Sequence, residues 1–166
     1  MKILAVQSRM GIGDTVIFLP FIKALSKKFN SPISILVKEN SKANQYLHQT
    51  KYIDKILTLE RDNKTNNRHG GFFGIFKLAN DLKKYKFDKI FIFNSSLRFN
   101  LIAKISGIPQ IYQYPLFAKN KQHIIEAPKK FLKENLNLDI NEDPEVQIDN
   151  DSISKAAQKF QIDKNT

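Results

Sequence analysis

The chain has 166 residues, enough for one domain with its own core, and no cysteine, which excludes disulfide scaffolds, thiolate metal sites and cysteine nucleophiles. Hydrophobic residues make up 42%, and no run reaches the roughly 18 apolar residues that a membrane-spanning helix needs. The formal charge is +11, from 27 basic and 16 acidic residues. Such a surface favours polyanions such as nucleic acid, anionic headgroups or phosphorylated glycans, although lysines scattered singly are equally a matter of composition. Three histidines with no close pair leave little for a metal site.

In chain order, Ile3–Val6 is a continuous apolar run and predicts a buried strand. It starts at once, is too short for a signal peptide and lacks a small-residue cleavage site, so the expected location is the cytoplasm. Asp14 to Phe29 carries a helical stripe of Ile17, Phe21, Ala24, Leu25 and Phe29. Pro20 predicts a helix that begins near Leu19 or kinks there. Residues 32–37 are a second strand, and Ser41 is a candidate N-cap for a helix from Lys42 to His48. A third strand lies in Ile53–Leu59, and residues 60–71 hold no apolar side chain and predict a long exposed loop.

The next helix has Phe72, Phe73, Phe76, Leu78, Ala79 and Leu82 as its apolar set. The three phenylalanines read most simply as a core face, and alternatively as an apolar patch toward a membrane surface. Lys89–Phe93 is a fourth strand, Leu97–Ile105 a helix closed by Gly107, and Pro109–Gln113 a fifth strand. His123 to Leu136 reads as a helix interrupted by Pro128, Pro144–Ile148 as a short extended piece, and Ser152–Phe160 as a weak helix.

Strands alternating with helices predict an α/β fold, a Rossmann-like, doubly wound and mostly parallel sheet. In such sheets ligands bind at the carboxyl ends of the strands, near the point where strand order reverses. The loops at those ends supply the candidates. Gly11 and Gly13 follow the first strand and permit a tight turn with close ligand approach. Val16 stands where a dinucleotide fingerprint needs its third glycine, and no Gly-Lys-Ser/Thr follows, so neither NAD or FAD binding nor a P-loop is predicted.

Asp14 is either a helix N-cap or a general base for a sugar hydroxyl. Arg9 can pair with Asp14 or with an anionic ligand. Arg61 and Arg68 in the polar loop suit phosphate or carboxylate, or else lie solvated. Arg98 opens a helix at a strand end, a good place for an anion or an ordinary surface position. Asn94 and Ser95 offer sugar contacts, and Ser96 a helix cap.

These residues, in this order, resemble the N-terminal half of family 9 glycosyltransferases. The likeness is carried by Ile3–Val6, Gly13-Asp14, Leu19-Pro20, Lys23-Ala24-Leu25 and Phe29. It continues through Tyr52–Ile56, Tyr85–Phe93, Leu97-Arg98, Leu101–Pro109 and His123–Glu126, over about residues 1–136. The resemblance implies one half of a GT-B architecture. It implies a metal-independent, inverting transfer of a sugar, typically a heptose from an ADP-heptose, to a lipopolysaccharide or related glycan acceptor. By the same resemblance Asp14 is the base, and no cofactor is implied beyond the nucleotide-sugar donor. The family often has an Asp and a Gln-Gly after the fourth strand, whereas residues 93–96 here read Phe-Asn-Ser-Ser.

The expected division is an acceptor-side domain over residues 1–149 and, in residues 150–166, the start of a linker to a missing donor-binding domain. On that reading the chain is inactive alone, the donor binds the absent half, and peripheral contact with the inner membrane is possible. The competing readings are a non-catalytic small-ligand or anion-binding domain, and a nucleic-acid-binding module, which the even scatter of lysine argues against.

Overall fold

In the computed structural model the described residues are 1–9, 11–61, 67–116, 124–146 and 150–160. Five strands form one sheet in the order β3-β2-β1-β4-β5, with every neighbouring pair parallel. They are β1 (Ile3–Val6), β2 (Ile33–Lys38), β3 (Ile53–Leu59), β4 (Lys89–Ile92) and β5 (Gln110–Gln113). The helices are α1 (Ile12–Phe29), α2 (Ala43–Tyr46), α3 (Phe73–Lys83), α4 (Leu97–Ile105), α5 (Glu126–Leu136) and α6 (Asn150–Phe160).

The two-residue alternation of the strands divides the core. Ile3, Ala5, Ile33, Ile35, Val37, Phe91 and Phe93 point to the face covered by α1 and α5. Leu4, Val6, Leu36, Ile90 and Ile92 point to the face covered by α3 and α4. Because both faces are covered, β1 and β4 read as nearly unbroken apolar runs rather than as alternating ones, and in β2 the buried Ser34 alone interrupts the run.

Four sequence expectations are corrected. First, α1 starts at Ile12, well ahead of Leu19, and runs through Pro20. Loss of one helical amide donor costs about 3 kcal/mol, and it is offset here by the burial of Phe18, Leu19, Phe21 and Ile22 around it. Second, the helix after Ser41 is only α2, with Lys42 in the left-handed region at its start; the Ser41 hydroxyl still accepts from the Ala43 amide at 3.4 Å.

Third, Pro128 does not interrupt a helix. It is the third residue of α5, where the backbone amide has no helical acceptor to lose. The earlier part of that predicted helix, His123, lies outside the described residues, as do Gln147 and Ile148 of the predicted extended piece.

Fourth, Phe72, Phe73 and Phe76 are not a core face. They are 67%, 77% and 43% exposed. The buried stripe of α3 is Gly74, Ile75, Leu78, Ala79 and Leu82, which recur at the three- and four-residue steps of a helix. Phe73 and Phe76 fall on the opposite side of that stripe, and Phe72, just before the helix, falls there with them.

Candidate functional site

The chain steps outward from β1 to β2 and β3, then returns to the other side of β1 with β4. Strand order therefore reverses between β1 and β4, and the crevice lies beyond their carboxyl ends. The loops that meet there carry residues 7–9 and 11 on one side and 93–96 on the other.

Gln7 organises the first loop. It is only 4% exposed, and its amide bonds the Leu36 carbonyl at 3.0 Å. Its side-chain nitrogen donates to the Asp14 carbonyl at 3.3 Å, and its side-chain oxygen accepts from the Arg9 amide. One buried glutamine thus ties both limbs of the turn together. Gly11 has φ 105°, outside the range comfortable for residues with a Cβ, and it is the N-cap of α1. With a glycine there, no side chain caps the helix, so the first amides of α1 are left without a side-chain acceptor.

Asp14 is therefore the third residue of α1 and not its N-cap. Its side chain is half-buried. Its carboxylate makes no hydrogen bond or ion pair among the described residues, and Arg9 does not pair with it. Thr15 instead closes the turn, donating to the Gly11 carbonyl at 3.1 Å. An acid placed beside uncapped amides, and left without a partner, is available to a ligand.

The second loop is locked to the first. Phe93 donates its amide to the Val6 carbonyl at 3.1 Å, and the Asn94 side chain donates to the Ser8 hydroxyl at 2.7 Å. Asn94 also accepts from the Ser96 amide at 2.7 Å. Ser96 caps α4 through the Arg98 amide at 3.3 Å, as the sequence suggests. Gln113, at the end of β5, donates to the Asn94 and Ser96 carbonyls, both at 2.9 Å, and is steadied by Asn100 at 2.9 Å. Ser95 is half-buried on this loop. Burial raises the Tyr114 phenol, partly opposed by the positive charge of Arg9. The Tyr114 hydroxyl is buried without a hydrogen-bond partner among the described residues.

The sequence candidates thus fall into two groups. Arg9, Gly11, Gly13, Asp14, Asn94 and Ser95 come together at the switch point. The arginines of the polar loop do not join them. Arg61 follows β3, the edge strand two positions from β1, about 10 Å away at ordinary strand spacing. Arg68 pairs with Asp81 at 2.7 Å. Arg98 is spent on the chain itself, donating to the Gly71 carbonyl at 2.7 Å and to the His69 carbonyl.

That last contact belongs to a clasp the sequence did not reveal. His69 is 4% exposed, accepts from the Glu60 amide at 3.1 Å, and sits 3.2 Å from Asp81. Burial pushes the Asp81 carboxyl up, but bonds from His69 and Lys84 and the charge and bond of Arg68 more than reverse this and hold it below its ordinary value. The far end of the predicted loop is therefore fastened, while residues 62–66 lie outside the described residues. A cavity of about 270 Å³ at the ends of β2 and β3, lined by Lys38, Glu39, Ser41, Thr58 and Glu60, is separate from Asp14. Among the described residues no group of three His, Asp or Glu side chains could hold a metal ion.

No family model and no curated protein matches the sequence. Solved structures do. A family 9 glycosyl transferase from Veillonella parvula superposes with a TM-score of 0.74 at 18% identity, covering 99% of this chain and 50% of that one. The Escherichia coli ADP-heptose lps heptosyltransferase II gives 0.66 at 14%, covering 99% and 52%. An E. coli heptosyltransferase with ADP-2-deoxy-2-fluoro heptose gives 0.57 at 12%, covering 86% and 50%. The chain spans about half the length of each, and at these identities the likeness is one of fold. It has the Rossmann-like α/β fold of one half of a family 9 glycosyltransferase.

Proposed function

We propose that this chain is the acceptor-side, N-terminal half of an inverting family 9 glycosyltransferase, working in the cytoplasm. On this reading it presents a hydroxyl of a lipopolysaccharide or related glycan to a nucleotide-activated heptose held by a second half. The observation that carries the proposal is Asp14: an unpartnered, half-buried carboxylate at the switch point of a sheet shared with half of several glycosyltransferases.

That placement supports a general-base role for Asp14. Asp14 accepts the proton of the acceptor hydroxyl as its oxygen forms a bond to the anomeric carbon. The bond from that carbon to the nucleoside diphosphate breaks, and the diphosphate leaves with the electron pair. Attack from the side opposite the leaving group inverts the centre. Gln7 fixes the turn that carries Asp14, and the Asn94–Ser8 bond fixes the opposite wall. Arg9, whose side chain is exposed and unpaired among the described residues, suits a phosphate on the acceptor.

The test is Asp14→Asn in a protein that carries both halves. Proton abstraction by a positioned carboxylate accounts for about 10²–10⁴ in rate. The expected result is a fall of that size in kcat with the KM for acceptor little changed. Near-normal turnover would refute the assignment. Tight nucleotide-sugar binding by this chain alone would refute the acceptor-side reading.

A further inference from the structure

We propose that Phe72, Phe73 and Phe76, together with the lysines on the same face of α3, dock the chain on an anionic lipid bilayer. The proposal is independent of the transferase reading and rests on one helix face.

Phe72 has helical dihedrals (φ −68°, ψ −46°), so the phase of α3 extends back to it. At 3.6 residues per turn, Phe72, Lys83, Phe76, Asn80, Phe73, Lys84 and Lys77 fall within an arc of about 140°. The opposite arc is the buried stripe that packs on the sheet and on α4. The three rings form one cluster, with the Phe72 centroid 6.1 Å from Phe73 and 5.7 Å from Phe76. All three are exposed, as are Lys77, Lys83 and Lys84. That arc contains no acidic residue. Asp81, next around the helix, is turned to His69, Arg68 and Lys84.

The composition of this face chooses the occupant. Aromatic rings at one end of a helix and lysines along the same side suit a surface that is apolar just below a layer of negative charge. Three rings within about one turn are too few for a stable protein interface, which takes about 800 Å² per partner. The base of the patch is rigid, because Arg98 grips the Gly71 and His69 carbonyls directly before Phe72. Leu97 and Leu101, on neighbouring α4, are also exposed, at 50% and 38%.

The chain has no tryptophan, so Phe73→Trp gives a single reporter at the most exposed ring of the patch. Vesicles of phosphatidylcholine with phosphatidylglycerol should shift its emission to the blue, and brominated acyl chains should quench it. Pure phosphatidylcholine vesicles should give a much weaker response. Adding Phe72→Ser and Phe76→Ser should weaken partitioning about tenfold for each ring lost. Lys77→Glu with Lys83→Glu should weaken it further at low salt, with unchanged thermal melting because every altered side chain is exposed. No shift on anionic vesicles, or binding that survives loss of the rings, overturns the proposal. An emission already blue-shifted without lipid, with a sedimenting dimer, assigns the face to a second copy and likewise overturns it.

Discussion

Replacing Asp81 with alanine tests whether the clasp around His69 holds the end of the polar loop onto α3. The substitution removes three contacts of unequal worth. The Arg68 and Lys84 side chains are 49% and 73% exposed, so solvent screens those pairs and each contributes only a few tenths of a kcal/mol. His69 is different. It is buried, its other ring nitrogen already accepts from the Glu60 amide, and without Asp81 one ring nitrogen is left unsatisfied. An orphaned buried polar group costs about 1–3 kcal/mol. The sum is about 2 kcal/mol, which for a chain of this size lowers Tm by about 4–8 °C.

The pH dependence supplies a second reading of the same variant. The folded carboxyl of Asp81 is held below its ordinary value. Its stabilisation is therefore present above the unfolded value, about 3.9, and is lost as pH falls through the folded one. The Tm gap between the two proteins, followed by circular dichroism, should close in acid. A gap under about 1 °C at neutral pH, or one that persists unchanged well below pH 4, would refute the account.

Gly74→Ala should destabilise despite the better helix propensity of alanine, because a Cβ there would lie 2.3 Å from both the carbonyl carbon and oxygen of His69. Backbone atoms cannot step aside cheaply, so urea titration should show a loss of about 1–3 kcal/mol. Tyr52 is pushed up to about 12 by burial and then by the charges of Glu145 and Glu142. Glu142→Gln with Glu145→Gln should lower the tyrosinate titration assigned to Tyr52 by difference from the parent chain, and no change would separate that segment from Tyr52. The same Glu142 carboxyl is held low by bonds from Lys27 and Lys23, so the tie between this segment and α1 should persist at neutral pH and be lost as pH falls below the ordinary glutamate range.

The sheet was legible because its central strands are buried on both faces and so appear as short, nearly unbroken apolar runs. The switch-point loops could be placed for the same reason: they begin where those runs stop. Phase was harder. Phe72, Phe73 and Phe76 dominate any count of hydrophobicity in their segment, whereas the stripe that packs includes Gly74 and Ala79, which carry little apolar signal but allow close approach. Pro20 and Pro128 carried opposite errors, one weighed against its surroundings and the other against its position. Gln7 gave one faint sign, a polar residue at the carboxyl end of a buried strand, and Gln113 a weaker one at the end of a half-buried strand. Nothing local marks His69 and Asp81 as partners, since they stand 12 residues apart with the first turns of α3 between them.

The place of β1 also bears on how the chain is made. It is the middle strand, yet it is the first of the five to be synthesised, and one of its edges is completed only by β4, with Ile3 opposite Lys89. At ordinary translation rates of about 5–20 residues per second, that edge waits about 4–17 s for its partner. During the interval a run of four apolar residues has one open row of amides and carbonyls, competent to pair with any other nascent strand. Chaperone protection during synthesis is thus most needed before residue 92 emerges, and a synonymous-codon pause placed between β2 and β4 should lower the soluble yield more than one placed after β5.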